Sequence, residues 1–223
     1  NGIFVGINSN DNLYTYGFPG GFGVVNYGMG NLHSVLRKLK LVGANYKLIE
    51  SPDHFETVDK IILPGVGHFG QAMENLREKE FIEPLHKFAI IDKKPILGIC
   101  LGMQLMTSYS EEGNSKGLDW IQGEVKHFNV SNKLRYKVPH MGWNKIQISK
   151  SSKLFENINT GSEFYFVHSY YFKSNHLSNN LNITNYESDF VSAFEKENIY
   201  GVQYHPEKSF EAGTQLFKNF IAL

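Results

Sequence analysis

"KKPILGICLGMQLM", residues 93–106, holds Cys100, the only cysteine of the 223-residue chain, between two glycines. A short apolar run enters it at residues 95–99 and a second apolar stretch with helical character leaves it, so the segment reads as a strand, a tight corner and a helix. Gly98-Ile99-Cys100-Leu101-Gly102 then matches the G-x-nucleophile-x-G pattern of a strand-to-helix elbow. A nucleophile at that corner takes strained backbone angles, and its neighbours must be small for the turn to close. Two effects favour a thiolate there. The helix N-terminus lowers the thiol pKa, and the free N–H of Leu101 can receive an oxyanion. On the pentapeptide alone, a small buried core thiol fits equally well.

Working outward, "KLIES" (47–51), "KIILPG" (60–65) and "KPILGI" (94–99) are apolar runs ended by turn residues, as buried strands are. Between them, Leu32, Val35, Leu36 and Leu39 recur at helical spacing with Gly43 as a stop, and residues 69–90 carry further helix. Strand and helix alternating over residues 22–108 predict a parallel sheet covered on both faces. From about residue 120 the texture changes. "GEVKHFNV", "WNKIQIS", "EFYFVHSYYF" and "FVSAFEKENIYGVQY" read as strands and antiparallel hairpins, and "EAGTQLFKNFIAL" closes the chain as a helix. The expected class is α/β: a mixed, mostly parallel central sheet flanked by helices, in one domain over residues 22–223. Residues 1–21 form an extension of unassigned role, in which "GIFVGI" could add an edge strand.

Lys plus Arg and Asp plus Glu both number 22, so the formal net charge is zero and no basic run marks a nucleic-acid footprint. One cysteine makes no internal disulfide, and no apolar stretch reaches spanning length. With no basic start to the N-terminus, a cytoplasmic protein off the membrane is expected.

A nucleophilic cysteine needs a base, and the base needs an orienting group. "YGVQYHPEKS" offers His205 and Glu207 two residues apart after an apolar strand. In an extended segment such residues point to the same side, so the carboxylate can hold the imidazole. Alone, "HPE" fits a surface His and Glu beside a proline as well.

Taken together, "GICLGMQ", "GVQYHPEKS" about a hundred residues later and "LPGVGHFG" upstream resemble the class I, triad-type glutamine amidotransferases. "NYGMGNLHSV", "VPHMGWNKI" and "FYFVHSYY" narrow the resemblance, over residues 22–223, to the glutaminase subunits of imidazole glycerol phosphate synthase. The resemblance implies the class I amidotransferase fold and a Cys100–His205–Glu207 triad that hydrolyses L-glutamine through a cysteinyl thioester. It implies an oxyanion hole from Leu101 and the Val66–Gly67 strand, in which one peptide must change orientation. Glutamine would be held by Gly65, Gly67, the Gln104 side chain and the main chain near Ser169 and Tyr170, with no metal or other cofactor. It further implies a (β/α)₈-barrel cyclase partner that receives ammonia, makes imidazole glycerol phosphate and AICAR in histidine biosynthesis, and docks at Asn31, Trp143, Tyr165 and Lys208. Ordinary core packing is the other reading of Trp143. His68, His140 and His168 read as packed polar residues rather than catalytic ones. Where the family carries an acidic residue before the Tyr-Gly pair, Asn26 stands here. The alternative functions are a paralogue feeding ammonia to surface-sugar modification, or a non-catalytic regulatory docking subunit.

Overall fold

The computed structural model describes residues 21–223 and, within the segment before them, residues 5–7 and 13–15. Strands β1 (Val5–Ile7) and β2 (Leu13–Thr15) pair antiparallel with each other, apart from the large sheet. Of the edge strand expected at residues 2–7, residues 2–4 lie outside the described residues, and Val5–Ile7 extends no edge of the large sheet.

The first half alternates as its apolar patterning predicts: β3 (Phe22–Val25), α1 (Leu32–Leu41), β4 (Lys47–Ile49), β5 (Lys60–Leu63), α2 (Phe69–Glu78), α3 (Ile82–His86), β6 (Ile96–Ile99) and the short α4 (Leu101–Leu105). The helical stretch expected at 69–90 is broken at Glu80, whose φ is 58°. The second half supplies β7 (Thr107–Ser110), β8 (Ser115–Lys116), β9 (Ile121–His127), β10 (His140–Lys145), β11 (Gln147–Ile148), β12 (Glu163–His168), β13 (Tyr170–Ser174), β14 (Asn180–Tyr186), β15 (Ser188–Lys196), β16 (Ile199–Val202) and α5 (Phe210–Ala222).

The sheet runs β4-β3-β5-β6-β16-β15-β13-β9-β7-β8, with β14 and β11 branching from β15. Its first five strands are parallel and the rest are mostly antiparallel. Alternation along the parallel strands feeds two cores, because successive side chains point to opposite faces. Ile61, Leu63 and Ile96 pack with Phe69, Met73 and Leu76 of α2. On the other face, Ile62, Leu97 and Ile99 pack with Val35 and Leu39 of α1 and with Leu216, Phe217 and Phe220 of α5.

The arrangement positions the site through β16. This strand pairs antiparallel with β15 on one side but parallel with β6 on the other, and Cys100 N–H donates to the Val202 carbonyl at 2.8 Å. The chain following β16 therefore emerges beside the elbow that follows β6, at the carboxyl edge where open α/β sheets place their ligands. A separate ribbon pairs β10 with β12, setting Trp143 opposite Tyr165 and His140 opposite His168. Among the described residues, no helix is long and apolar enough to cross a membrane.

Candidate active site

Cys100 sits at the corner between β6 and α4 with φ 52° and ψ −108°, a strained combination for a residue with a side chain. Its flanking glycines make the corner possible. A Cβ on Gly98 would lie 2.7 Å from the Gly102 carbonyl group, and one on Gly102 would collide with the Leu63 carbonyl. Cys100 is 7% exposed. The Leu101 N–H, expected to be free, donates to the Gly65 carbonyl at 3.3 Å, because the loop after β5 folds over the start of α4.

His205 and Glu207 meet with Nδ1 and Oε1 2.7 Å apart, both side chains 2% exposed. The contact is as expected; its cause is not. Residues Pro206–Lys208 form a 3-10 turn rather than a continuing strand, so the turn brings the carboxylate back under the ring. Ser209 Oγ donates to the His205 carbonyl at 2.6 Å and accepts the Tyr165 N–H at 3.0 Å, while the His205 N–H donates to the Tyr165 carbonyl at 2.8 Å. The imidazole backbone is thereby fastened to β12. Nε2 of His205 is buried without a hydrogen-bond partner, the atom available to exchange a proton with the thiol. Burial opposes the imidazolium, but the Cys100 thiolate and then Glu207 outweigh it and push the pKa up to about 10.

A cavity of about 310 Å³ opens over the thiol, lined by Val66, Gly67, Cys100, Leu101, Gln104, Glu112, Pro139, Val167, His168, Ser169, Tyr170 and His205. It gathers most of the residues singled out from the sequence. Gly65 is not among them: it lies beneath, where a Cβ would meet the Tyr27 hydroxyl, and contributes its carbonyl to Leu101. Burial, then the charge on Cys100, raises the Tyr27 pKa, so that phenol stays neutral. Gln104 Nε2 donates to the Tyr170 carbonyl at 3.1 Å and to Gln203 Oε1 at 2.9 Å, and Gln203 Nε2 reaches Cys100 Sγ at 3.6 Å.

Sequence reading missed Gln203, Ser209 and Glu112. Gln203 and Ser209 flank the "HPE" triplet and were legible as neighbours of the base. Glu112 lies in a polar turn after β7, where a carboxylate looks like an ordinary solvated residue. Only the fold carries it to the cavity, and its Oε2 is fixed by the Phe69 N–H at 2.8 Å.

Trp143 is 43% exposed, which removes the core-packing reading. It stacks flat on the exposed Phe210 ring, centroids 4.8 Å apart, and meets Tyr165 edge-on at 5.9 Å. The Lys208 ammonium lies 5.6 Å over the Tyr165 ring. Three of the four docking candidates thus share one aromatic face. Asn31 caps α1, its side chain accepting the Ser34 N–H at 3.4 Å.

A strained cysteine corner and a carboxylate-held imidazole, brought to one cavity at the carboxyl edge of a parallel sheet, define an α/β protein with a Cys-His-Glu constellation. The family model for class I glutamine amidotransferases matches residues 23–223, and the chain belongs to that family. It is 46% identical over 198 residues to the imidazole glycerol phosphate synthase subunit HisH 2 of Methanococcus maripaludis, covering 89% of this chain and 97% of that relative. It is 42% identical over 200 residues to the subunit of the same name from Pseudomonas aeruginosa, covering 90% and 98%. Among solved structures, PurLQS from Thermotoga maritima superposes with a TM-score of 0.71 at 16% identity, over 92% of this chain and 99% of that one. A structure described as a glutamine amidotransferase superposes at 0.70 and 14% identity, over 91% and 98%.

Proposed function

We propose that this chain is the glutaminase subunit of an imidazole glycerol phosphate synthase, hydrolysing L-glutamine and passing ammonia to a (β/α)₈-barrel cyclase in cytoplasmic histidine biosynthesis. The observation that carries the chemistry is the free, buried Nε2 of His205 beside Cys100, with Nδ1 held by Glu207 at 2.7 Å. In this reading His205 holds the thiol proton and the thiolate adds to the side-chain amide carbon of glutamine. The tetrahedral intermediate collapses as the imidazolium gives its proton to the departing nitrogen, releasing ammonia and leaving a thioester. His205 then takes a proton from water, hydroxide adds to the thioester carbon, and glutamate leaves as the thiolate reforms.

Both oxyanion donors depend on one peptide. With the Gly65 carbonyl turned toward Leu101, the Val66 N–H of the same trans peptide points the other way. Rotating that peptide frees the Leu101 amide and turns a second donor inward, and glycines at 65 and 67 allow it. The ammonium group of glutamine fits the acceptors Glu112 and Gln104 Oε1. Released ammonia is a nucleophile only while unprotonated, so a partner must cap the exit. The aromatic face of Trp143, Tyr165 and Phe210, with Lys208 beside it, suits that partner.

Cys100→Ala should abolish glutamine-dependent formation of imidazole glycerol phosphate by the assembled complex while ammonia-dependent formation persists. Glutamine hydrolysis surviving the substitution would refute the nucleophile. A chain that neither binds nor serves a histidine-pathway cyclase, yet restores a sugar amidotransferase, would establish the paralogue function in its place.

A further inference from the structure

Two imidazoles beside the cavity take no part in the chemistry above, yet every ring nitrogen on them is engaged. His168 Nδ1 lies 2.7 Å from the Tyr170 carbonyl oxygen, His168 Nε2 lies 3.0 Å from His140 Nδ1, and His140 Nε2 lies 3.2 Å from Asn144 Nδ2. Both rings are buried. His140 is stacked between Phe166 and Tyr186, with centroids at 4.8 and 4.0 Å, so the ring is held in place on both faces.

The direction of each hydrogen in this row is fixed from both ends. At the outer end, Asn144 Oδ1 accepts the Lys145 N–H at 2.8 Å, so the amide nitrogen is the atom that faces His140. Its other hydrogen is donated to the Asn185 carbonyl at 2.9 Å. His140 Nε2 must therefore accept, and the His140 proton sits on Nδ1. His168 Nε2 accepts from that Nδ1, which leaves the His168 proton on its own Nδ1, donated to Tyr170. At the inner end a carbonyl oxygen can only accept, which demands the same tautomer. A second proton on either ring would set one N–H against another. Burial acts in the same direction, lowering His140 to about 4 and His168 to about 3.

The row ends on an oxygen that also shapes the cavity. The Tyr170 carbonyl accepts from Gln104 Nε2 at 3.1 Å, and the remaining Nε2 hydrogen goes to Gln203 Oε1 at 2.9 Å. With its nitrogen fully engaged, Gln104 has its Oε1 left for a ligand. We infer that Asn144, His140 and His168 are positioning residues, a fixed-tautomer relay that aims the Tyr170 carbonyl and through it decides which atom of Gln104 meets the substrate. The relay rests on the glutaminase reading only for the identity of that substrate, glutamine, whose ammonium group needs an acceptor.

The test has two arms. Imidazole ¹⁵N spectra of the full chain at pH 7 should show both rings neutral with the proton on Nδ1. A proton on Nε2 of either ring, or a doubly protonated ring, overturns the relay whatever the activity, and this arm needs no variant to fold. Asn144→Asp inverts the outer end, because a carboxylate can only accept. It should move the His140 proton to Nε2 and raise KM for glutamine at least tenfold with kcat changed less than threefold, measured with the cyclase partner present. Asn144→Leu keeps the volume without polarity and should raise KM less, since Tyr170 still fixes the inner end. Equal KM values for the two variants would mean that Asn144 acts by packing, and the relay would be wrong. If the unaltered chain hydrolyses no glutamine with its partner, the glutaminase reading falls while the tautomer result stands.

Discussion

At the scale of single residues, the proposed mechanism makes the reactivity of Cys100 depend on the 2.7 Å contact between Glu207 and His205. Replacing Glu207 with Gln keeps the shape but removes the charge that holds Nδ1–H and stabilises the imidazolium. The expected loss is about 10²–10⁴ in kcat for glutamine hydrolysis, as for other orienting carboxylates. The pKa of His205, pushed up to about 10 by Cys100 and Glu207 against its burial, should fall in this variant, because an anion favouring the charged form is gone. A pH–rate profile whose alkaline limb moves to lower pH would match this. An unmoved limb would mean that Glu207 does not face the reacting imidazole.

At the scale of elements, the β10–β12 ribbon does two things at once. Its register places the Trp143–Tyr165 pair and the His140–His168 pair on one two-stranded ladder. Trp143 is 43% exposed, so Trp143→Ala should leave the fold intact and weaken cyclase binding about tenfold or more by titration calorimetry, as truncating a central interface aromatic does. Wild-type affinity in that variant would move the docking face elsewhere. The buried histidines give the ribbon an acid limit. Their folded values of about 4 and 3 lie below the unfolded value near 6.5, so the unfolded chain binds protons first as pH falls. Stability is complete above about pH 6.5 and declines from there toward pH 4, by up to about 2.7 kcal/mol per pH unit for the two together. Denaturant melts at pH 7 and pH 5 should differ accordingly. In His140→Gln the slope should be roughly halved; an unchanged slope would assign the acid sensitivity to other groups.

At the scale of the whole molecule, the proposed mechanism has its His205–Glu207 pair formed but its oxyanion donors not yet free. The His205–Glu207 contact is in place, whereas the Leu101 amide donates to the Gly65 carbonyl, and in the proposed mechanism that peptide has to turn before Leu101 and Val66 can serve as oxyanion donors. Losing one oxyanion donor costs about 10²–10³ in rate, so the chain alone should hydrolyse glutamine at least that much more slowly than with its cyclase and acceptor nucleotide bound. Full activity of the isolated chain would remove the need for a peptide rotation. The face proposed for docking and the proposed base are joined through short contacts: Tyr165 stands against Trp143, and its peptide groups hold the His205 backbone directly and through Ser209.

The sequence by itself marked the tight strand-to-helix corner, because small residues at 98 and 102 after an apolar strand are a local steric pattern, whereas the pentapeptide alone fitted a core thiol at Cys100 as well as a nucleophile. It also determined the parallel half of the sheet, through apolar runs and helical spacing, and it singled out His205 and Glu207 as neighbours, although a 3-10 turn rather than an extended segment brings them together. Tertiary structure decided what depends on separation along the chain. Pairing β16 beside β6 brings residues 100 and 205 together, since a parallel neighbour is chosen by the packing of two faces rather than by adjacency. Glu112 enters the cavity from a polar turn, Gln203 bridges Gln104 to the thiol, and two histidines that read as packed polar residues form a row with Asn144 at its end. Hydrogen-bond direction in a buried row is a property of all its members together, and no one of their local sequences contains it.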